Sequence, residues 1–228
     1  MKYIAVIPAR GGSKGLPGKN VRTIAGKPLI AWSVEQALEC RRMDCVHVST
    51  DDPGIAEVAR QYGADVPYLR PEDLAQDATP TEPVLMYALD WYKRVGRNFE
   101  AIVLLQPTSP LRLPGTLAAA VDAFEKSGSE SLLGVCENHH FFWRNPANAT
   151  ALYDYRNRPR RQDIRPEDRW YRENGSIYIT RTTMFRQHGN RLCAPVHMHI
   201  MQEEEGWEID SLADFAIVET LMNLVQDK

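Results

Sequence analysis

Several things are scarce in this chain, and each absence narrows what it can be. Among 228 residues there are four cysteines, Cys40, Cys45, Cys136 and Cys193, with no Cys-x-x-Cys pair and no zinc spacing. That pattern excludes a disulfide scaffold and a zinc ribbon. No apolar run approaches the roughly 20 residues that a membrane span needs, and no signal peptide is read ahead of the first apolar segment, so the expected location is the cytoplasm. A basic excess is missing too: the formal net charge is -3. The surface as a whole therefore does not match nucleic acid, and any anion site has to be local. No segment repeats or is of low complexity. The length suits one main domain over residues 1–228.

What is present is an alternation. "YIAVIP" is a short continuous apolar run, the signature of a strand buried on both faces, and "PLIAWSVEQALEC" follows with Leu29, Trp32, Ser33 and Gln36 at helical spacing. "CVHVST" and "PGIAEVARQYG" repeat the unit, with Pro53 suited to a first helical turn and Gly63 to an end. A helix is predicted from about Pro83 to Val95, then strand "EAIVLLQP", helix "PGTLAAAVDAFEKSG" and strand "SLLGVCE". After an interruption come strands "GSIYIT" and "PVHMHIM" and a closing amphipathic helix, "SLADFAIVETLMNLVQ", capped by Asp210 or Ser211. This order predicts a Rossmann-like α/β fold, a doubly wound, mostly parallel sheet with helices on both faces. The interruption, residues 137–172, is aromatic, proline-bearing and arginine-rich, and reads as an excursion from the sheet, a flap over a pocket or a dimerisation arm.

The loop after the first strand, "IPARGGSKGLPGKN", combines glycines and prolines with Arg10, Lys14 and Lys19. Two phosphate-binding templates fail on it. Gly18-Lys19 read as a P-loop would put Ser13 where a glycine belongs and Asn20 where a magnesium-binding hydroxyl belongs. The dinucleotide pattern would put Arg10 at its first glycine. In an open parallel sheet, ligands gather beyond the carboxyl ends of the strands. There this chain presents Arg10, Lys14, Lys19 and Asn20 after the first strand, Asp51 and Asp52 after the second, Gln106, Thr108 and Ser109 after "AIVLL", and Glu208 and Asp210 before the last helix. A cationic, amide-rich loop facing carboxylates suits a nucleoside triphosphate with a divalent metal.

Plainer roles compete for several residues. Asp51-Asp52 before Pro-Gly makes a good helix start, and Asp210 could simply cap the last helix. His197 and His199 share one strand face without further metal ligands, and the adjacent pair His139-His140 cannot readily share an ion. Glu203 to Glu205 reads as a solvated loop. In the excursion, Arg156, Arg158, Arg160, Arg161, Arg165, Arg169 and Arg172 interleave with Tyr153, Tyr155, Trp170 and Tyr171, a mixture that could bind single strands. Asp163, Glu167 and Asp168 offset that charge, so a guanidinium holding a small acidic substrate is the better use.

Six blocks in chain order, "IPARGGSKGLPGKNVRTIAGKPLIAWSVEQA", "VSTDD", "LRPEDLAQD", "LLQPTSPLR", "ENGSIYI" and "EIDSLADFAIVE", resemble the acylneuraminate cytidylyltransferases, the CMP-sialic acid synthetases. Relatives that activate legionaminic, pseudaminic and keto-deoxy-nonulosonic acids share much of the pattern. The resemblance implies a nucleotide-diphospho-sugar transferase type of sheet and transfer of CMP from CTP to the anomeric hydroxyl of a nine-carbon keto sugar acid, N-acetylneuraminic acid or a close relative. Pyrophosphate is released, with Mg2+ or Mn2+ as cofactor and a homodimer as the assembly. It also implies roles: Arg10 and Lys14, with the Gly11, Gly12 and Ser13 backbone, at the triphosphate; Lys19 and Asn20 at phosphate and cytosine; Arg70 and Thr81 near the nucleoside. Gln106, Arg161 and Tyr178 would serve the sugar, with Arg161 on its carboxylate. Asp210 would hold the metal and assist the general base, with Glu208 beside it.

Two departures bear on mechanism and substrate. Many sialic acid enzymes carry Asp-x-Asp where this chain has Glu208-Ile209-Asp210, and some relatives place a lysine near the position of Arg144. Pseudaminic acid enzymes keep the "GGSKG" and "QPTSP" blocks less well, and enzymes for an eight-carbon keto-deoxy acid carry a "QGDEP"-like block in place of "QPTSPLR". Sugar-phosphate activation with UTP or ATP, and a nucleotide-binding regulator without turnover, are the remaining readings.

Overall fold

The polypeptide folds around one six-stranded sheet, seen in a computed structural model that describes residues 1–226. The strands are β1 (Tyr3–Pro8), β2 (Met43–Ser49), β3 (Ala101–Leu105), β4 (Ser131–Asn138), β5 (Trp170–Arg181) and β6 (Val196–Met201). Their spatial order is β6-β4-β5-β3-β1-β2. β1 pairs in parallel with β2 and β3, and β6 in parallel with β4. β5, which contains "GSIYIT", runs antiparallel between β3 and β4. Its N-terminal residues therefore lie at the same sheet edge as the C-termini of its neighbours.

Helices α1 (Leu29–Glu39), α2 (Pro53–Gln61), α3 (Thr81–Arg94), α4 (Thr116–Ser127), α5 (Thr182–His188) and α6 (Leu212–Gln226) complete the layers. Alternation along β1 divides the core between two faces, as a buried strand requires. Tyr3, Ala5 and Ile7 join a cluster with Val34 of α1, Ile55 of α2 and Val121 of α4. Ile4 and Val6 join Leu85 and Tyr92 of α3 and Phe185 of α5 on the other. A third cluster lies outside the sheet: Leu16 of the first loop, Leu29, Leu111 and Ile209 pack with Phe215, Val218 and Met222 of α6. That packing fixes the last helix against the first loop.

α3 begins at Thr81, two residues ahead of the predicted start, because Pro83 lacks only an amide that the first helical turn leaves unpaired in any case. Antiparallel pairing of β4 with β5 continues out to Asn138 opposite Trp170, so the ends of the predicted excursion belong to a ribbon grown from the sheet. Beyond it, Trp143–Arg144 pairs with Thr150–Ala151 in a short hairpin. Glu203 and Glu204 are exposed, whereas Glu205 is buried, contrary to the solvated loop expected from sequence. Its carboxylate accepts from the Leu113 amide at 2.8 Å, Thr116 Oγ1 at 2.6 Å and the Gln202 amide at 3.0 Å, which satisfies it without water.

Candidate active site

The loop after β1 stays open because its glycines let other chain segments come close. A Cβ on Gly11 would meet Asp52 Oδ2 at 2.8 Å, and one on Gly15 would meet the Asp210 carbonyl oxygen at 2.4 Å. The loop is thus pressed between the end of β2 and the approach to α6. Asp51 accepts the Gly11 amide at 3.1 Å, while Asp52 caps α2 by accepting the amides of Gly54 and Ile55 at 2.7 and 3.0 Å. The helix-start reading accounts for Asp52; Asp51 braces the basic loop.

A cleft of about 640 Å3 opens at the carboxyl edge of the sheet. Of the residues predicted to serve it, Arg10, Ser13, Lys14, Lys19, Asn20, Arg70, Thr81, Gln106, Glu208 and Asp210 all line it. They divide by burial. Lys19, Asn20 and Arg70 are buried and already bonded to the protein. Lys19 Nζ donates to the Ile209 carbonyl at 2.7 Å, and Asn20 Nδ2 donates to the Arg10 carbonyl at 3.1 Å. Arg70 Nε donates to Ser49 Oγ at 3.1 Å, and its Nη2 donates to the Ser49 carbonyl. These three fix the walls while keeping polar edges toward the cleft. Lys14 and Asp210, by contrast, leave 77% and 75% of their side chains exposed.

The acidic wall is set by the buried residue between the two carboxylates. Ile209 is fully buried in the third cluster, and its amide donates to the Thr108 carbonyl at 2.8 Å. Burial pushes the Glu208 carboxyl above its ordinary pKa, and the nearby Asp210 charge pushes the same way. Lys19 Nζ stands 3.4 Å from Asp210 Oδ1. Ser211 is the cap of α6: its Oγ accepts the Asp214 amide at 3.2 Å, and Asp214 Oδ2 accepts the Ser211 amide at 2.8 Å in return. The Asp210 carboxylate is therefore free of the capping duty that its position allowed.

Three elements of the site had no role in the sequence reading. Gly175, at φ 66°, gives the site its floor: a Cβ there would meet Glu208 Oε1 at 2.0 Å and Gln106 Oε1 at 2.8 Å. Buried Asn174 holds that turn by accepting the Ser176 amide at 3.1 Å. The signal was the Asn-Gly pair inside "ENGSIYI", a turn signature within a strand. Arg112 is fully surrounded by protein and joins four segments, donating to the carbonyls of Gln106 and Ser176 at 2.9 and 2.8 Å and to Ser33 Oγ and Gln36 Oε1 at 3.0 Å each. Burial lowers its pKa, opposed by the Glu205 charge. The third is Asp77, whose Oδ1 lies 2.5 Å from Arg10 Nη1 and whose Oδ2 lies 2.5 Å from Lys14 Nζ.

The remaining predicted residues lie apart from the cleft lining. Gly11 packs against Asp52, and Gly12 is exposed with no atom within 4 Å of where a Cβ would sit. Tyr178 packs its ring in the α3–α5 core, under the Arg191 guanidinium at 4.9 Å, and its hydroxyl donates to Glu173. Arg161 is exposed in a single turn, Arg161–Asp163, of the excursion. Its neighbours are committed elsewhere: Arg160 to Asp163, Arg165 to Asp168, Arg169 to Glu137, and Arg158 over the Phe141 ring. Among the described residues no cluster of three or more metal-binding side chains occurs, so His197 and His199 do not form one. No described helix is long and apolar enough to cross a membrane.

Comparison with known proteins identifies the family. A CMP-N,N'-diacetyllegionaminic acid synthase of Legionella pneumophila is 37% identical over 100% of this chain and 99% of its own. An N-acylneuraminate cytidylyltransferase of Oncorhynchus mykiss is 37% identical over 80% of this chain and 42% of its own, and a pseudaminic acid cytidylyltransferase of Campylobacter jejuni is 33% identical over 78% of each. Among solved structures, a CMP:2-keto-3-deoxy-manno-octonic acid synthetase complexed with CTP superimposes with a TM-score of 0.73 at 20% identity, covering 98% of this chain and 99% of that one. That likeness speaks to the fold. The family model described as cytidylyltransferase matches residues 4–214, and with the cleft it spans, this chain belongs to the cytidylyltransferase family.

Proposed function

We propose that this enzyme transfers CMP from CTP to the anomeric hydroxyl of a nine-carbon keto sugar acid, N-acetylneuraminic acid or a close relative such as a legionaminic acid, releasing pyrophosphate. The observation that carries the reading is one cleft lined both by the cations Arg10, Lys14 and Lys19 and by the carboxylates Glu208 and Asp210. A relative that matches from end to end is a legionaminic acid enzyme, which favours that arm of the substrate range.

These cations hold the triphosphate, Arg10 and Lys14 neutralising oxygens whose charge grows as the bond from the α phosphorus to pyrophosphate breaks. Ser13 and the loop backbone complete this cradle, while Asn20, Arg70 and Thr81 border the nucleoside. Gln106, at the end of β3, meets the sugar, whose hydroxyl forms the new bond to the α phosphorus as its proton leaves toward the carboxylates. Glu208 and Asp210 fit a hard divalent cation, Mg2+ or Mn2+, because both donors are oxygens and such ions commonly take one or two carboxylates plus substrate phosphates. At the half-buried Glu208, desolvation and the Asp210 charge outweigh the opposing charges of Arg172 and Lys19, an imbalance that a bound cation would relieve. When bound, the cation neutralises phosphate oxygens and draws charge from the phosphorus.

Arg161, exposed on the excursion and without an ion pair among the described residues, is assigned to the sugar carboxylate. The excursion and β6 expose Trp143, Tyr155, Trp170, Met198 and Ile200, each at least half accessible. An apolar face of this kind is covered in a homodimer, the assembly proposed for this cytoplasmic enzyme. The deciding experiment is CTP-dependent pyrophosphate release measured across a panel of nonulosonic acids. Release with one of them supports the reading; no release with any, or equal release with UTP, rejects it.

A further inference from the structure

The block "LRPEDLAQD" ends on a carboxylate that the proposed reaction does not use. Asp77 enters the cleft from the segment between β2 and α3 and places one oxygen on each of two cations, Oδ1 on Arg10 and Oδ2 on Lys14, both at 2.5 Å. Those are the groups assigned to the triphosphate, so the inference rests on that assignment. A carboxylate bridging two cations copies the way two phosphate oxygens would bridge them. Arg10 and Lys14 sit on a glycine-rich loop, and Lys14 is 77% exposed, so without a counterion their mutual repulsion would splay them.

We propose that Asp77 is a built-in competitor of the polyphosphate: it occupies Arg10 and Lys14 when the cleft is empty, yields them to CTP, and reclaims them as pyrophosphate departs. The consequence is a specificity and release function. Ligands with β and γ phosphates must displace Asp77, whereas CMP, lacking them, need not. Bound pyrophosphate is continually opposed by a carboxylate tethered beside its two cations. Asp77 is thus a residue that tunes affinity by holding others, with no contact to the reacting atoms.

The sign of the effect separates this role from a supporting one. Calorimetric titration of the full-length protein in magnesium buffer compares CTP, inorganic pyrophosphate and CMP on the wild type, Asp77→Asn, Asp77→Ser and Asp77→Glu. Exposed ion pairs are worth a few-fold each in binding, so the Asn and Ser variants are expected to bind CTP and pyrophosphate about five-fold more tightly, with CMP unchanged and the Glu variant near wild type. Weaker or equal polyphosphate binding by both neutral variants overturns the inference and leaves the proposed reaction standing. A wild type that binds neither CTP nor pyrophosphate overturns the proposed reaction and this inference with it.

Discussion

The Lys19 ammonium lies 3.4 Å from Asp210 Oδ1, across 191 positions of sequence, while it donates to the carbonyl of Ile209. The first loop and the entrance to the last helix are therefore one electrostatic unit. Lys19 is buried at 9% exposure and cannot swing away, so Asp210 is held at the mouth of the cleft by a fixed charge.

The separation of capping from chemistry at this point makes a paired prediction. Asp210→Asn should lower turnover by roughly 100-fold or more, with its melting temperature near that of wild type. Ser211→Ala should do the reverse, costing about 1 kcal/mol of stability through the lost cap and little activity. Thermal melts and initial rates on the two variants check both halves; an active Asp210→Asn enzyme at saturating magnesium removes Asp210 from the mechanism.

Gly15→Ala tests how tightly the loop meets the acidic wall. The added methyl would sit 2.4 Å from the Asp210 carbonyl oxygen, a backbone atom that cannot rotate aside. A displacement of the wall by about 1 Å is expected to cost on the order of 100-fold in turnover. Gly12→Ala, with no atom within 4 Å of the new methyl, is the control for strain and should melt as the wild type does.

Much of this arrangement is readable from residues alone. β1 and β3 are continuous apolar runs, β2 is legible in "CVHVST" despite His47, and the loop residues that follow them could be assigned to one edge before any coordinates. What escapes such reading depends on contacts distant in sequence. The antiparallel course of β5 follows from the ribbon it makes with β4, and nothing in "GSIYIT" states direction. Arg112 looks like a surface arginine in "PLR", yet it is buried because Ser33, Gln36 and two carbonyls from other segments converge on it. Glu205 escapes sequence reading for the same reason, since its partners Leu113 and Thr116 lie far along the chain. Gly175 could have been found, because Asn-Gly within a strand is itself a turn signal.

His47 supplies a pH dependence of stability. It is fully buried, with Nδ1 3.0 Å from the Asp65 carbonyl oxygen and Nε2 3.0 Å from the Tyr68 hydroxyl. Burial pushes its pKa down to about 4 from 6.5, against the hydrogen bond its ring donates to the Asp65 carbonyl. The unfolded chain therefore binds the extra proton first, and stability is lost as pH falls from 6.5 toward 4. The loss should reach roughly 3 kcal/mol. Urea unfolding at a series of pH values reads it, and His47→Gln should flatten that limb; an unaltered limb in the variant assigns the acid sensitivity to other groups.

Arg161 is unpaired among the described residues while arginines on either side of it are paired. Its replacement by Ala should raise KM for the sugar acid by about 10-fold and leave KM for CTP within about two-fold. Steady-state kinetics with each substrate varied in turn gives the comparison, and equal changes in both constants would detach Arg161 from the sugar.

The position of β5 also governs how the chain is assembled. β2-β1-β3 and β4-β6 share no strand pairing among the described residues, and β5 alone is bonded to both groups. A nascent chain can pair its first three strands early, but the central seam stays open until the strand beginning at Trp170 emerges. The same strand carries Asn174 and Gly175, so the event that closes the central seam is also the one that lays the floor of the cleft. A truncated chain ending before Trp170 would expose the open edge of β3, and the aggregation hazard of such an edge makes completion of the catalytic floor and protection from aggregation a single step.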